Sequence, residues 1–129
     1  IKSGKYDFIR CNFPNGDMVG HTGNMDAVIV SMGALDLCLA RLLKVCEENG
    51  VTMLVTADHG NADEMLEKNK KGALQPRTAH SLNKVPFIVY GVDCEIAENE
   101  NAGLANVAAT VAKLMGYEAP ASWETSIVK

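Results

Sequence analysis

The chain's three histidines, His21, His59 and His80, all fall at or near loops rather than within an apolar helix face. Two have a carboxylate close by: Asp17 lies four residues before His21, and Asp58 directly precedes His59. Carboxylate plus imidazole is a mixed oxygen and nitrogen donor set. It suits manganese or zinc better than calcium and lacks the thiolates of a structural zinc site. Deprotonated ligands at loop tips on a rigid sheet are what an open, catalytic metal site requires. One surface histidine beside an aspartate is ordinarily a simple polar pair. Three histidines at such positions favour a functional cluster.

The spacing adds detail. In Asp17-Met18-Val19-Gly20-His21, Gly20 is expected to let the backbone bend so that both side chains converge. Asp58 and His59 are adjacent, so a regular strand would point them to opposite faces. They can serve one site only if the strand stops there, which Gly60 permits.

Other candidates carry less. Lys68, Lys70, Lys71 and Arg77 form the densest basic stretch, have no interleaved aromatics and read as a solvated loop. Asn12, Asn15 and Asn61 are more readily explained as turn residues than as groups orienting a ligand. Ser81 follows His80 with no base poised to activate it. Asn101 and Asn106 read as structural. The net charge of −4 and pI near 5.3 argue against a nucleic-acid partner. None of the four cysteines, Cys11, Cys38, Cys46 and Cys94, forms a C-x-x-C pair. Three lie in apolar stretches, as reduced core thiols do, and this points to a cytoplasmic protein. No stretch reads as a signal peptide. The longest apolar run, residues 27–45, is broken by Asp36, Arg41 and Lys44, so no membrane span is expected.

The elements that must position these groups read as follows. Residues 6–13 have strand composition and run into the turn signal Pro14-Asn15-Gly16. Residues 25–49 form a helix with Asn24 as N-cap and Asn49-Gly50 as its stop. Its narrow polar stripe, including Asp26, Asp36, Arg41 and Glu48, predicts heavy packing of the remaining surface. Residues 51–57 and 85–90 read as strands, the first of them covered on both faces. A short helix is expected over 62–67, a polar loop over 68–79 and an acidic loop over 92–102. Leu104, Val107, Ala108, Val111, Leu114 and Met115 recur at helical spacing, and Gly116 closes that helix. This order predicts an α/β fold: a layered, mostly parallel sheet flanked by helices. Ligands then gather at the carboxyl ends of strands, near residues 14–21, 58–61 and 91–93.

The run Asn12-Phe13-Pro14-Asn15-Gly16-Asp17-Met18-Val19-Gly20-His21-Thr22-Gly23 resembles the cofactor-independent phosphoglycerate mutases. Thr56-Ala57-Asp58-His59-Gly60-Asn61-Ala62-Asp63 resembles that family's second signature, shared with the wider alkaline-phosphatase-like superfamily. Thr78-Ala79-His80-Ser81, followed by Val85-Pro86, resembles its third. The resemblance covers nearly the whole chain with the motifs in order. It implies an alkaline-phosphatase-like phosphatase domain with two divalent metals, usually manganese, with zinc, cobalt or magnesium as alternatives. A phosphotransferase domain is inserted into it in the family. Asp17, His21 and His80 then bind one metal, and Asp58 and His59 the second. The implied reaction interconverts 3-phosphoglycerate and 2-phosphoglycerate through a phosphoserine, without a 2,3-bisphosphoglycerate requirement. The nucleophilic serine and the inserted domain have no counterpart in these residues. The chain is therefore expected to be the C-terminal segment of the phosphatase domain, inactive alone, with the rest of the parent enzyme as its partner.

Two alternatives stand beside this. One is another enzyme of the superfamily, such as a phosphopentomutase, although Thr22-Gly23 after His21 favours the glycerate mutase, where an Arg would be expected in the other. The second is a non-catalytic metal-binding domain. An exposed sheet edge further predicts a homodimer of the chain.

Overall fold

The computed structural model describes residues 1–97 and 99–129, and it divides into two compact units, residues 1–91 and 92–129. In the first unit α1 (Asn15–Gly20) precedes a long helix, α2 (Met25–Asn49). Next come the strands β1 (Met53–Thr56), β2 (Leu66–Lys68), β3 (Leu74–Pro76) and β4 (Phe87–Tyr90). The second unit holds α3 (Asn106–Leu114).

The boundaries of α2 are local chemistry. The Asn24 side chain accepts from the Ala27 amide at 3.1 Å, satisfying one of the free donors of the first turn. Gly50 ends the helix in the left-handed region, φ 62°, with its amide directed to the carbonyls of the last turn. The heavy packing predicted for this helix is not observed: Val28 and Cys46 are its buried residues, while Val30 is 74% and Leu37 69% exposed. α1 lies against α2, with the Ser31 hydroxyl donating to the Asn15 carbonyl.

Both strand ladders are antiparallel, which corrects the expected mostly parallel sheet. β1 pairs with β4 in the register Met53↔Tyr90 to Thr56↔Phe87. Neither strand is covered on both faces; Ile88, for instance, is 52% exposed. Antiparallel pairing has a consequence for the site. It sets the end of β1 beside the start of β4, so the chain leaving Thr56 meets the chain entering Phe87. The far end of β4 is fastened instead to the end of α2, where the Tyr90 hydroxyl donates to Glu47. That bond favours the protonated phenol and raises the Tyr90 pKa.

Residues 6–13 are not a strand. They lie exposed with no ladder partner among the described residues, because a strand exists only through pairing. The helix expected over 62–67 is a turn leading into β2, and the polar loop over 68–79 contains the β2–β3 hairpin, with Glu67 opposite Gln75. Asn69 builds its turn by accepting from the amides of Lys71 and Ala73, and Gly72 supplies φ 80°. The lysines that suggest a loop project from a turn whose true signal is Asn69 and Gly72.

In the second unit the buried face of α3 is Asn106, Ala109 and Thr110, rather than the apolar positions, and Leu104 and Met115 are exposed. The reason is the tail. The Thr110 hydroxyl donates to the Asn106 carbonyl at 2.8 Å and accepts from the Ile127 amide at 2.9 Å. Asn106 donates to the Thr125 carbonyl, confirming its structural role, and Ile96 bridges Val128. The acidic loop is thus partly ordered by the tail; its residue 98 lies outside the described residues. Thr110 is fully buried, so Thr110→Val leaves the Ile127 amide unpaired. A cost of about 1–3 kcal/mol is expected, read as faster hydrogen exchange at Ile127 and a lower unfolding midpoint.

Candidate metal centre

The first two ligand candidates stand on one short helix. Asp17 and His21 are four apart, and α1 turns that spacing into a shared face, with Asp17 Oδ1 3.0 Å from His21 Nε2. Convergence therefore comes from helical geometry, not from a bend at Gly20. Gly20 serves close approach: a Cβ there would lie 2.7 Å from the side-chain carbonyl carbon of Asn61.

His80 arrives from the segment between β3 and β4. Its Nε2 lies 3.0 Å from Asp17 Oδ1 and 3.2 Å from His21 Nε2. His59 comes from the loop after β1 and stacks on His80, with ring centroids 3.7 Å apart and planes at 17°. Its Nε2 is 4.0 Å from Asp17 Oδ1 and 3.7 Å from Asp58 Oδ1. The Asp58 side chain is 85% exposed and borders the cluster on its outer side. All five predicted residues thus gather at the junction of β1 and β4, with Asp17, His21 and His80 forming the tight group. The segment 91–93 does not join them, because antiparallel pairing puts the end of β4 at the opposite end of the ladder.

A buried side chain and a backbone carbonyl hold this cluster in place. Asn61, 4% exposed, donates from Nδ2 to Asp17 Oδ1 at 3.0 Å. That bond, with the imidazoles adding to it, keeps the Asp17 carboxyl ionised below the usual carboxylate range. His21 Nδ1 is 2.6 Å from the Thr78 carbonyl, an acceptor only, so this nitrogen carries the proton and donates. In the neutral ring Nε2 then presents a lone pair toward Asp17 and His80. Turn formation alone, the sequence-based account of Asn61, misses this role. Asp63, which closes the run beginning at Thr56, carries no such signal by itself, and Arg77, read with the lysines as part of a solvated loop, donates to the His80 carbonyl at 3.0 Å.

The donor set fits a cation. Donor atoms about 2.0–2.2 Å from one ion, at tetrahedral or octahedral angles, lie roughly 2.8–3.6 Å apart. Asp17 Oδ1, His21 Nε2 and His80 Nε2 are separated by 3.0, 3.0 and 3.2 Å. A lone-pair nitrogen facing an ionised carboxylate at such range is repulsive unless a proton or a cation lies between them.

Comparison with known proteins agrees with this chemistry. Residues 1–119 match the metalloenzyme superfamily. The chain is 46% identical over its full length to a probable 2,3-bisphosphoglycerate-independent phosphoglycerate mutase of Leptospira interrogans, covering 26% of that protein. It is also 46% identical to the corresponding mutase of Trypanosoma brucei brucei, again over the whole chain and 26% of the relative. The chain thus spans about a quarter of the length of these curated relatives. A crystal structure of Leishmania mexicana phosphoglycerate mutase at low cobalt concentration has the same fold over 99% of this chain and 26% of its own, with a TM-score of 0.91 at 42% identity. That likeness places the α/β fold among phosphoglycerate mutases, and no helix among the described residues is long and apolar enough to cross a membrane. With the superfamily match running through every one of the five clustered residues, this chain belongs to the metalloenzyme superfamily.

Proposed function

We propose that this chain is the metal-binding, C-terminal segment of the phosphatase domain of a 2,3-bisphosphoglycerate-independent phosphoglycerate mutase. The parent interconverts 3-phosphoglycerate and 2-phosphoglycerate in glycolysis and gluconeogenesis, in the cytoplasm. The convergence of Asp17, His21 and His80 within hydrogen-bonding distance of one another carries the reading, supported by 46% identity to mutases.

Asp17, His21 and His80 hold one divalent ion, a carboxylate–imidazole set being suited to manganese or zinc rather than calcium. Asp58 and His59 contribute to a second, completed by groups from the rest of the parent. When bound, the ions lower the pKa of a serine hydroxyl supplied by the parent and neutralise phosphoryl charge. The chain's own residues orient and pre-organise. Thr78 fixes the His21 tautomer, Asn61 aims the Asp17 carboxylate, and the His59–His80 stack keeps both rings in one geometry. The exposed Asp58 leaves one side of the centre open to an anionic substrate or to the parent's remaining ligands. The isolated chain supplies no nucleophile and has β1–β4 edges open to pairing with a second copy.

Isothermal titration of the chain with Mn2+ or Co2+ is expected to give one well-defined site, with no mutase turnover. The full-length parent is expected to convert 3-phosphoglycerate only when loaded with metal. Absence of metal binding by both proteins, or metal-independent turnover by the parent, would overturn the assignment.

A further inference from the structure

We propose that Asp63 is a positioning residue for the metal centre, clamping the loop that carries His59 to the segment that carries His80; this rests on the reading of the cluster as a metal site. Neither histidine is placed by a regular element. His59 follows the end of β1, and His80 precedes the start of β4. Their immediate neighbours meet in an isolated antiparallel bridge, Gly60↔Ser81, closed by the Ser81 amide donating to the Gly60 carbonyl at 2.9 Å. A single bridge is a weak constraint on two loops.

Asp63 reinforces it. Its Oδ2 accepts from the Ser81 hydroxyl at 2.8 Å and from Asn83 Nδ2 at 2.7 Å, on the residues that follow His80. Ser81 is 3% exposed, so its hydroxyl has little access to water in exchange for Asp63. Gly60 is required at the bridge, because a Cβ there would meet the Asp63 carboxylate and the Ser81 side chain. From the other side Arg77 donates to the carbonyl of His80 at 3.0 Å and faces Glu64 at 3.7 Å. His80 is thereby gripped at its own carbonyl and at the residue after it, both times by side chains anchored in the 60–67 segment or in β3's exit. The Asp63 carboxylate bonds Ser81 and Asn83 and none of the three donors. Its effect is to set the direction from which His80 Nε2 approaches Asp17.

Outer groups that orient ligands typically change metal affinity by about 10–100-fold. Co2+ titration of the chain by calorimetry and visible absorption, on Asp63→Ala, Asp63→Asn and Ser81→Ala, tests the proposal. Lys70→Ala, on the hairpin turn, is the control. Asp63→Ala is expected to raise the Co2+ dissociation constant by roughly 10-fold or more and to alter the d–d band. Asp63→Asn, which keeps an acceptor oxygen, should recover part of both. Should Asp63→Ala not fold, Ser81→Ala removes one arm of the clamp and is expected to weaken binding several-fold. Wild-type affinity and an unchanged band in the folded variants would overturn the proposal. If the unmodified chain binds no Co2+, the metal reading is decided on the full-length parent. The clamp is then decided on the metal-free chain by the ring-current shifts of the stacked His59 and His80 protons. Their loss in Asp63→Ala sustains it, and their persistence overturns it.

Discussion

Asp17→Asn and His21→Ala are expected to cut cation affinity sharply while leaving the unfolding midpoint of the metal-free chain almost unmoved. Asp17 Oδ1 sits 3.0 Å from both His21 Nε2 and His80 Nε2, so it is the shared vertex of the donor triangle. Replacing it with an amide removes the negative charge and can turn a donor toward the two nitrogens. Losing one of three donors removes more than an outer-group change would, so affinity for Mn2+ or Co2+ should fall on the order of 100-fold or more. Stability is a separate matter. The side chains of His21 and Asp17 are 44% and 32% exposed, and partly solvated ion pairs contribute little to folding. His59→Ala should weaken binding at this site far less, because its Nε2 stands 4.0 Å from Asp17 Oδ1. Calorimetric titration beside thermal unfolding checks both halves. Wild-type affinity in Asp17→Asn would sink the site.

The second large effect is expected from Gly20→Ala. In an ordinary helix this change is favourable by roughly 0.5–1 kcal/mol, because alanine restricts the unfolded chain. Here the added Cβ would lie 2.7 Å from Asn61 Cγ and 3.3 Å from its Nδ2. Asn61 cannot retreat cheaply: it is 4% exposed and bonded to both the carboxylate and the carbonyl of Asp17. Overpacking of that kind costs about 1–3 kcal/mol, so the clash wins. A displaced Asn61 also releases Asp17, and Co2+ affinity should drop about 10-fold. Urea unfolding of Gly20→Ala, Asn61→Ala and the double variant resolves the cause. The double variant should be less destabilised than the sum of the singles, since removing the amide removes the overlap. Strict additivity would mean that Gly20 acts without Asn61.

Much of the centre is legible from residue types and motif order. Residue types and motif order pick out Asp17, His21, Asp58, His59 and His80; of these the structure brings Asp17, His21 and His80 into one tight group, with His59 4.0 Å from Asp17 and Asp58 exposed beside His59. Helix α2 was legible to the residue, from Asn24 to Gly50, because caps are contacts within a few positions of the chain. α3 was legible in extent, with Gly116 beyond its end at φ 81°, but its buried face was not. Periodicity reports apolar residues; it does not report a tail that docks through Thr110 and Asn106.

What the chain's letters determine alone is therefore local: the capped helix, the turn chemistry, and which side chains have the lone pairs to hold a cation. Tertiary structure decides which loops meet. Antiparallel pairing of β1 with β4 brings residues 58–61 beside 80–83, and α1 places Asp17 and His21 on one face above them. Strand direction, register and the burial of Asn61 beneath Gly20 depend on groups more than 25 residues apart in the chain. Those choices are settled by the competing free energies of whole arrangements, which no short window of sequence contains.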